Sequence, residues 1–116
     1  MTSITNFSEK VYKLCSQIPK GKVSTYKLLA DFLHTSPRAV GQSLKKNPFP
    51  PSLVPCHRVI QSNYFLGGFF GKEIELKKIK LEQEGIYFDN KGYLSKNLSK
   101  KEIIFRNFFD PKEFVI

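Results

Sequence analysis

Five consecutive residues, Pro55-Cys56-His57-Arg58-Val59, set a thiol beside an imidazole behind a proline. That is the minimum set for nucleophilic chemistry: a sulfur that reacts as its thiolate, and a base able to take the thiol proton. The chain holds only two cysteines and two histidines, so such chemistry has few other places to occur. Adjacency alone does not make a site, because a Cys beside a His is commonly plain core filling. An active pair needs a group to orient the base, a rigid approach and a surface that delivers substrate.

The approach is rigid. Asn47 to Pro55 contains four prolines within the eight residues Pro48 to Pro55, which excludes a regular helix or a central strand. The segment reads as a stiff extended connector that fixes Cys56 relative to the element before it. That element is a helix over Arg38 to Lys46, started by Ser36-Pro37 as cap and first-turn proline and stopped at Asn47-Pro48. A preceding helix runs from Ser24 or Thr25 as cap to Leu33, with Leu28, Leu29, Phe32 and Leu33 as its apolar face. Two short helices around His34-Thr35 make a helix-turn-helix pair. On the exposed side of the second, Ala39, Gly41 and Ser43 are small, and Gly41 costs about 1 kcal/mol of helix propensity relative to alanine. Close approach of another backbone explains that cost; tight packing on the protein's own core explains it equally. Arg38, at the helix start beside these residues, favours an external ligand such as phosphate.

The first helix is expected over Phe7, Val11, Leu14 and Ile18, capped by Ser8 or Asn6, with Cys15 as core filler. After the thiol motif, Val59-Ile60 reads as a short strand. Tyr64, Phe65, Phe69 and Phe70 around Gly67-Gly68 suit either a pocket for a flat ring or an ordinary aromatic core. Lys72 to Glu84 reads as a helix ended by Gly85, with Ile74 and Leu81 on one side and Leu76 and Ile79 on the other, hence between two layers. Ile86 to Leu94 suggests a hairpin about Asp89-Asn90-Lys91-Gly92. Ser99-Lys100-Lys101-Glu102 is a capping box before a last helix ending near Asp110-Pro111.

Composition narrows the class. A chain of 116 residues supports one domain, and eleven Phe and five Tyr supply apolar area for a small core. No apolar run is long enough to span a membrane, the N-terminus is not a signal peptide, and the Cys and His spacing fits no zinc site. Two reduced thiols in a cytoplasmic protein, with no metal and no cofactor, is the expectation. The net charge is +9, and it is uneven: residues 1–58 carry nine Lys/Arg against only Glu9 and Asp31. A basic first half suits a phosphate-facing surface. A generally Lys-rich surface is the plainer explanation.

Arg38-Ala39-Val40-Gly41, Asn47-Pro48 and Pro55-Cys56-His57-Arg58-Val59 together resemble the O6-alkylguanine-DNA alkyltransferase family, also called methylated-DNA–protein-cysteine methyltransferases. Val23-Ser24-Thr25-Tyr26, Gly67-Gly68 and Leu81-Glu82-Gln83-Glu84-Gly85 extend the likeness to about residues 5–88. The resemblance implies a mainly α, winged-helix-like helix-turn-helix domain with short strands over residues 1–95. Residues 96–116 would be a helical extension packed on it. It implies a monomeric repair protein that binds duplex DNA in the minor groove and flips the damaged nucleotide. An alkyl group then moves irreversibly from guanine O6, or thymine O4, to a cysteine. Carried over, Cys56 is the acceptor, His57 its base through a bridging water, and Glu84 the group that orients His57. Tyr26 assists rotation and donates towards the leaving guanine, Arg38 fills the vacated stack, and Asn47 holds connector and active-site turn together. Ser36, Pro37, Ala39, Gly41 and Gln42 line the groove contact; Pro55, Val59, Leu66 and Gly67 line the base pocket, where Leu66 would act through its backbone N–H.

Three features depart from the family pattern: the match starts almost at Met1, where many relatives carry a separate N-terminal domain first, Leu66 stands where many relatives have a small polar residue, and the tail from about Leu94 has no recognised counterpart. Competing readings are a non-enzymatic alkyltransferase-like protein that binds alkylated DNA and recruits other factors, and a helix-turn-helix regulator with Arg38 in the major groove. The first class lacks the acceptor cysteine, which is present here. A cysteine protease would need a separate histidine, and only His34 is left.

Overall fold

The computed structural model describes residues 5–67 and 72–110. Helix α1 (Asn6–Cys15) buries Val11, Tyr12, Leu14 and Cys15; of the expected stripe, Val11 and Leu14 lie on this face, Phe7 is partly buried, and Ile18 joins the core from beyond the helix end. Its cap is Thr5, whose Oγ1 accepts from the Ser8 N–H at 3.0 Å. Asn6 and Ser8 lie inside the helix, and Ser8 Oγ instead meets Ser43 Oγ at 2.9 Å. Helix α2 (Tyr26–Leu33) is capped by Thr25, and His34 stops it in the left-handed region at φ 56°. Leu29 and Ala30 are its buried residues, while Phe32 lies at the surface against Phe108. Helix α3 (Pro37–Lys45) begins as expected, Ser36 Oγ accepting from the Ala39 N–H with Pro37 in the first turn.

The thiol sits on the three-residue 3-10 turn Cys56–Arg58, between the proline-rich connector and strand β2 (Val59–Ile60). Strand β2 pairs in parallel with β1 (Ser24–Thr25), Ser24 opposite Val59 and Thr25 opposite Ile60. Because side chains alternate along a strand, Val59 packs into the core of α1, α2 and α3. Ile60 joins a second core of Val23, Leu66, Leu81, Ile86, Phe88, Leu94 and Ile104. Each fully buried Leu or Ile in these cores contributes about 1.5–3 kcal/mol. The short sheet lies between them, and the thiol turn is anchored at its start.

Helix α4 (Lys72–Gln83) ends at Gly85, whose φ of +88° lets the Ile86 N–H return to the Leu81 carbonyl at 2.9 Å. Leu81 is buried, whereas Leu76 and Ile79 are about half exposed, so α4 packs on one side only. The expected second layer is not found among the described residues, and the Leu76–Ile79 side faces solvent. The segment after α4 forms a turn with the bridges Phe88–Leu94 and Phe65–Tyr93 rather than a full hairpin.

The last helix is much shorter than expected: α5 covers only Lys100–Ile103, and Ser99 makes no side-chain cap. Beyond it the chain is extended, because the edge of the sheet captures its backbone. Ile104 bridges Val23 in parallel, Phe105 N–H donates to the Val23 carbonyl at 2.7 Å, and Ser24 Oγ donates to the Phe105 carbonyl at 2.9 Å. Those bonds satisfy donors and acceptors that a continued helix would have left to the sheet edge. Gln17 holds Phe109 through both its amide atoms, fastening the tail to the end of α1.

Gly92 sits at φ +90°, and an added Cβ would meet the Phe65 ring at 2.7 Å. We expect Gly92→Ala to cost about 1–3 kcal/mol in chemical denaturation. An unchanged midpoint would show that this turn is free to relax.

Candidate active site and nucleic-acid interface

The turn carrying Cys56 is fixed from three directions. Cys56 N–H donates to the Val54 carbonyl at 2.8 Å and Arg58 N–H to the Pro55 carbonyl at 2.9 Å. Asn47 Nδ2 donates to the Phe49 carbonyl and, at 3.5 Å, to Val54, while Asn47 Oδ1 accepts from Phe49 N–H. Asn47 thus holds the connector to the residue that seats the thiol. The third direction is Arg58, which makes a two-pronged pair with Glu84 (2.9 and 2.8 Å) and donates to the Ile18 carbonyl at 2.8 Å. Arg58 had no role assigned from sequence. Local sequence gives no sign that the residue after the histidine reaches the same carboxylate as the histidine does.

Glu84 Oε2 receives His57 Nε2 at 3.0 Å. Burial pushes the Glu84 carboxyl up, but hydrogen bonds and charge from Arg58 and His57 outweigh this and hold it below the usual carboxylate range. It is therefore an acceptor only, which places the proton of the neutral imidazole on Nε2 and leaves the lone pair on Nδ1. His57 Nδ1 is buried and has no hydrogen-bond partner among the described residues. Desolvation lowers the His57 pKa despite the opposing pull of Glu84, with Arg58 and Lys80 adding to the downward shift. The ring is neutral at neutral pH, and its Nδ1 lone pair is without a partner among the described residues.

Cys56 is partly exposed, whereas Cys15 is fully buried and desolvation drives its pKa far above the ordinary thiol value. Only one of the two thiols is both accessible and next to a base.

A groove of about 380 Å³ runs along the first turns of α3, lined by Tyr26, Pro37, Arg38, Gly41, Gln42, Lys45 and Gln61. Lys45 and Gln61 were not singled out from sequence. Lys45 was legible, since it lies one helical turn beyond Gly41 and seven residues after Arg38, on the same face. Gln61 was not, because its place depends on where β2 ends. A Cβ on Gly41 would meet the Tyr26 ring at an ordinary 3.8 Å, so the protein's own packing does not require glycine there. Ser43, read as part of the exposed small-residue side, is buried: Tyr12 Oη donates to its carbonyl at 2.7 Å and its hydroxyl meets Ser8. Ser36 is exposed with its hydroxyl oxygen engaged as a cap, and Ala39 is half-buried; neither lines the groove. Burial raises the Tyr26 pKa to about 12, so its hydroxyl stays a donor.

Pro55, Val59, Leu66 and Gly67 are all buried. The Leu66 N–H, expected to serve a ligand, is already committed to the Gly92 carbonyl at 2.8 Å. A Cβ on Gly67 would meet the movable Gln61 amide at 2.5 Å and the Phe65 ring at 2.8 Å, so packing against that ring favours glycine there. Gly68, Phe69 and Phe70 lie outside the described residues. Among the described residues no cluster of three His, Cys, Asp or Glu side chains is placed to hold a metal ion, and no helix is long and apolar enough to cross a membrane.

Fold and site together define a mainly helical, helix-turn-helix-like protein with a Glu84-bound imidazole next in sequence to a partly exposed thiol, and a groove bearing Arg38 and Lys45. The chain belongs to the O6-methylguanine DNA methyltransferase family, whose DNA-binding-domain model matches residues 6–86. It is 49% identical over 83 residues to a methylated-DNA–protein-cysteine methyltransferase of Sulfolobus acidocaldarius, covering 72% of this chain and 52% of that protein. The O6-methylguanine-DNA methyltransferase of Pyrococcus kodakaraensis strain KOD1 matches with a TM-score of 0.63 and 45% identity, over 72% of this chain and 48% of that one. S. pombe Atl1, crystallised with damaged DNA containing O6-carboxymethylguanine, matches with a TM-score of 0.73 and 32% identity, over 91% of this chain and 100% of that one. The chain spans about half the length of the curated relatives it matches.

Proposed function

We propose that this protein repairs alkylated DNA by a single, irreversible transfer of an alkyl group from guanine O6 to Cys56. The observation that carries the reading is the buried Nδ1 of His57, unpartnered among the described residues and left as a lone-pair acceptor by the bond from Nε2 to Glu84. His57 takes the thiol proton, directly or through one water. The thiolate attacks the alkyl carbon; the S–C bond forms as the C–O6 bond breaks. The electron pair passes to guanine, which takes up one proton and returns to its normal form. Tyr26, protonated and at the groove, donates to the leaving base. Since the sulfur ends as a thioether, each molecule acts once, as a monomer.

The damaged atom is hidden in a duplex, so the nucleotide has to leave the stack. Arg38 is exposed at the start of α3 and lines the groove with Pro37, Gly41 and Gln42, a placement suited to the minor groove and to filling the gap. Arg38→Ala should slow repair of a duplex by on the order of tenfold to a hundredfold, the scale of a few kcal/mol of unstacking, and barely slow transfer from free O6-alkylguanine base. Equal losses on both substrates would remove the flipping role.

A second reading, recognition of alkylated DNA without transfer, is favoured by the match to Atl1, which takes in most of this chain and the whole of that one. Cys56 beside an oriented base argues for transfer. Mass spectrometry after mixing with a duplex containing O6-methylguanine separates the two. One methyl group on the Cys56 peptide and none on Cys15 is the expected result; unmodified protein that still binds the damaged duplex would establish the second reading.

A further inference from the structure

A second cavity, of about 360 Å³, borders the thiol turn. Its walls include Lys20 after α1, Ser52 in the connector, His57 and Arg58 on the turn, and Lys80 and Gln83 near the end of α4. It shares no lining residue with the groove along α3. Its charge is one-sided. Glu84 also borders it, but both carboxylate oxygens accept from Arg58, and one accepts from His57 as well, so that pair is neutral. Lys20 and Lys80 are exposed and make no ion pair among the described residues. Two positive charges are thus left without a counter-charge, with the Ser52 hydroxyl and the Gln83 amide as neutral donors beside them.

This charge works against the base. Burial lowers the His57 pKa, Glu84 opposes that shift, and Arg58 and Lys80 add to it. A neutral side chain at position 80 would leave His57 the stronger proton acceptor, so the imidazole's own task does not explain the lysine. An anion in the cavity removes the conflict. Its charge offsets Lys80 and favours the imidazolium that forms when the thiol gives up its proton. We propose that this cavity is a site for an oxyanion of the phosphate class, held by Lys20 and Lys80 with Ser52 and Gln83 as donors, and that its occupancy strengthens His57 as the base. Compact ammonium groups hold phosphate as point charges from several directions, without the planar fork that a carboxylate matches. Free phosphate and a phosphodiester of a DNA backbone present the same chemistry there. The binding site stands on the cavity alone; the effect on transfer rests on the reading of His57 as acceptor of the Cys56 proton.

Sulfate is a suitable probe, because its charge does not change across the histidine range. The ring titrations of His57 and His34, the two histidines of the chain, can be followed together by NMR in potassium chloride and in potassium sulfate of equal ionic strength. Saturating sulfate should raise the His57 midpoint by about half a unit to one unit and leave the exposed His34 unmoved. Lys20→Gln combined with Lys80→Gln should abolish the response, and both side chains are exposed, so the fold is kept. Equal midpoints in the two salts, equal shifts of both histidines, or a response that survives the double substitution would each overturn the proposal. Undamaged duplex added in chloride identifies the source. A His57 midpoint raised by duplex, and not raised in the double variant, assigns the backbone; an unmoved midpoint beside a sulfate response assigns a free oxyanion. No readout here involves alkyl transfer. Methylation of Cys56 by a protein whose His57 ignores sulfate sinks this inference alone, and a sulfate response without methylation sinks only the reading of Cys56 as acceptor.

Discussion

Cys56→Ser should bind a duplex containing O6-methylguanine as tightly as the unsubstituted protein and should leave the methyl group where it is. The side chain is nearly the same size and partly exposed, so neither fold nor groove is disturbed. A hydroxyl is much harder to ionise than a thiol, and a neutral imidazole whose pKa is lowered by burial is too weak a base to ionise it. Transfer should fall by on the order of 10⁴-fold or more, the scale reached when a nucleophile is taken out of a unit whose members act together. Counting methyl groups left in the duplex after a long incubation measures this directly. Methyl transfer that persists in the Cys56→Ser protein would place the acceptor elsewhere. Cys15 is a poor candidate, enclosed in the core with its thiol held protonated.

Glu84→Gln carries the second large effect, and it acts twice. The carboxylate serves Arg58 with two oxygens and His57 with one of them. An amide presents one acceptor and one donor, so a mostly buried guanidinium loses its counter-charge and the His57 tautomer is no longer dictated. Breaking a buried pair from one side costs roughly 3 kcal/mol, and loss of an oriented general base costs roughly 10²- to 10⁴-fold in rate. Stability and transfer should therefore fall together, and a variant with full stability and slow transfer would confine Glu84 to catalysis.

The pH dependence has a definite sign. The Glu84 pKa is lower in the folded state, so its contribution is complete above the unfolded carboxylate value and is lost as pH falls towards the folded one. The His57 pKa is also lower in the folded state, so the unfolded chain takes up that proton first and stability declines as pH drops below the ordinary histidine value. Both act in one direction. The unsubstituted protein should lose stability in two stages on acidification, and Glu84→Gln should flatten the lower one.

Much of this arrangement is local and hence readable in order along the chain. Ser36-Pro37 starts α3, Thr25 starts α2, and Gly85 at positive φ stops α4, because caps and stops depend on a few adjacent residues. The connector could be read for the same reason: prolines act on their own backbone wherever they lie. What escaped depends on partners remote in sequence. Ser99-Lys100-Lys101-Glu102 promised a longer helix, and the edge of β1 captured Ile104 and Phe105 instead. Leu76 and Ile79 suggested a second layer that the described residues do not supply. Arg58 completes the His57–Glu84 pair from a position that carries no local signature, and the Leu66 N–H is taken up by a turn 26 residues further along.

That capture at the sheet edge also bears on the order in which the molecule assembles. Helices α1, α2 and α3 draw on contacts within the first half of the chain and can form quickly. Strand β1 has to recruit β2 on one side and, on the other, a segment with Ser24 and Phe105 81 residues apart. Closing loops of that length is slow, so the sheet is a late event. The thiol turn hangs directly from β2, and Arg58 and Glu84 meet only when α4 is in place. A partly folded chain therefore carries Cys56 beside a histidine that Glu84 does not yet hold, and the His57–Glu84 pair exists only in a molecule that has finished folding.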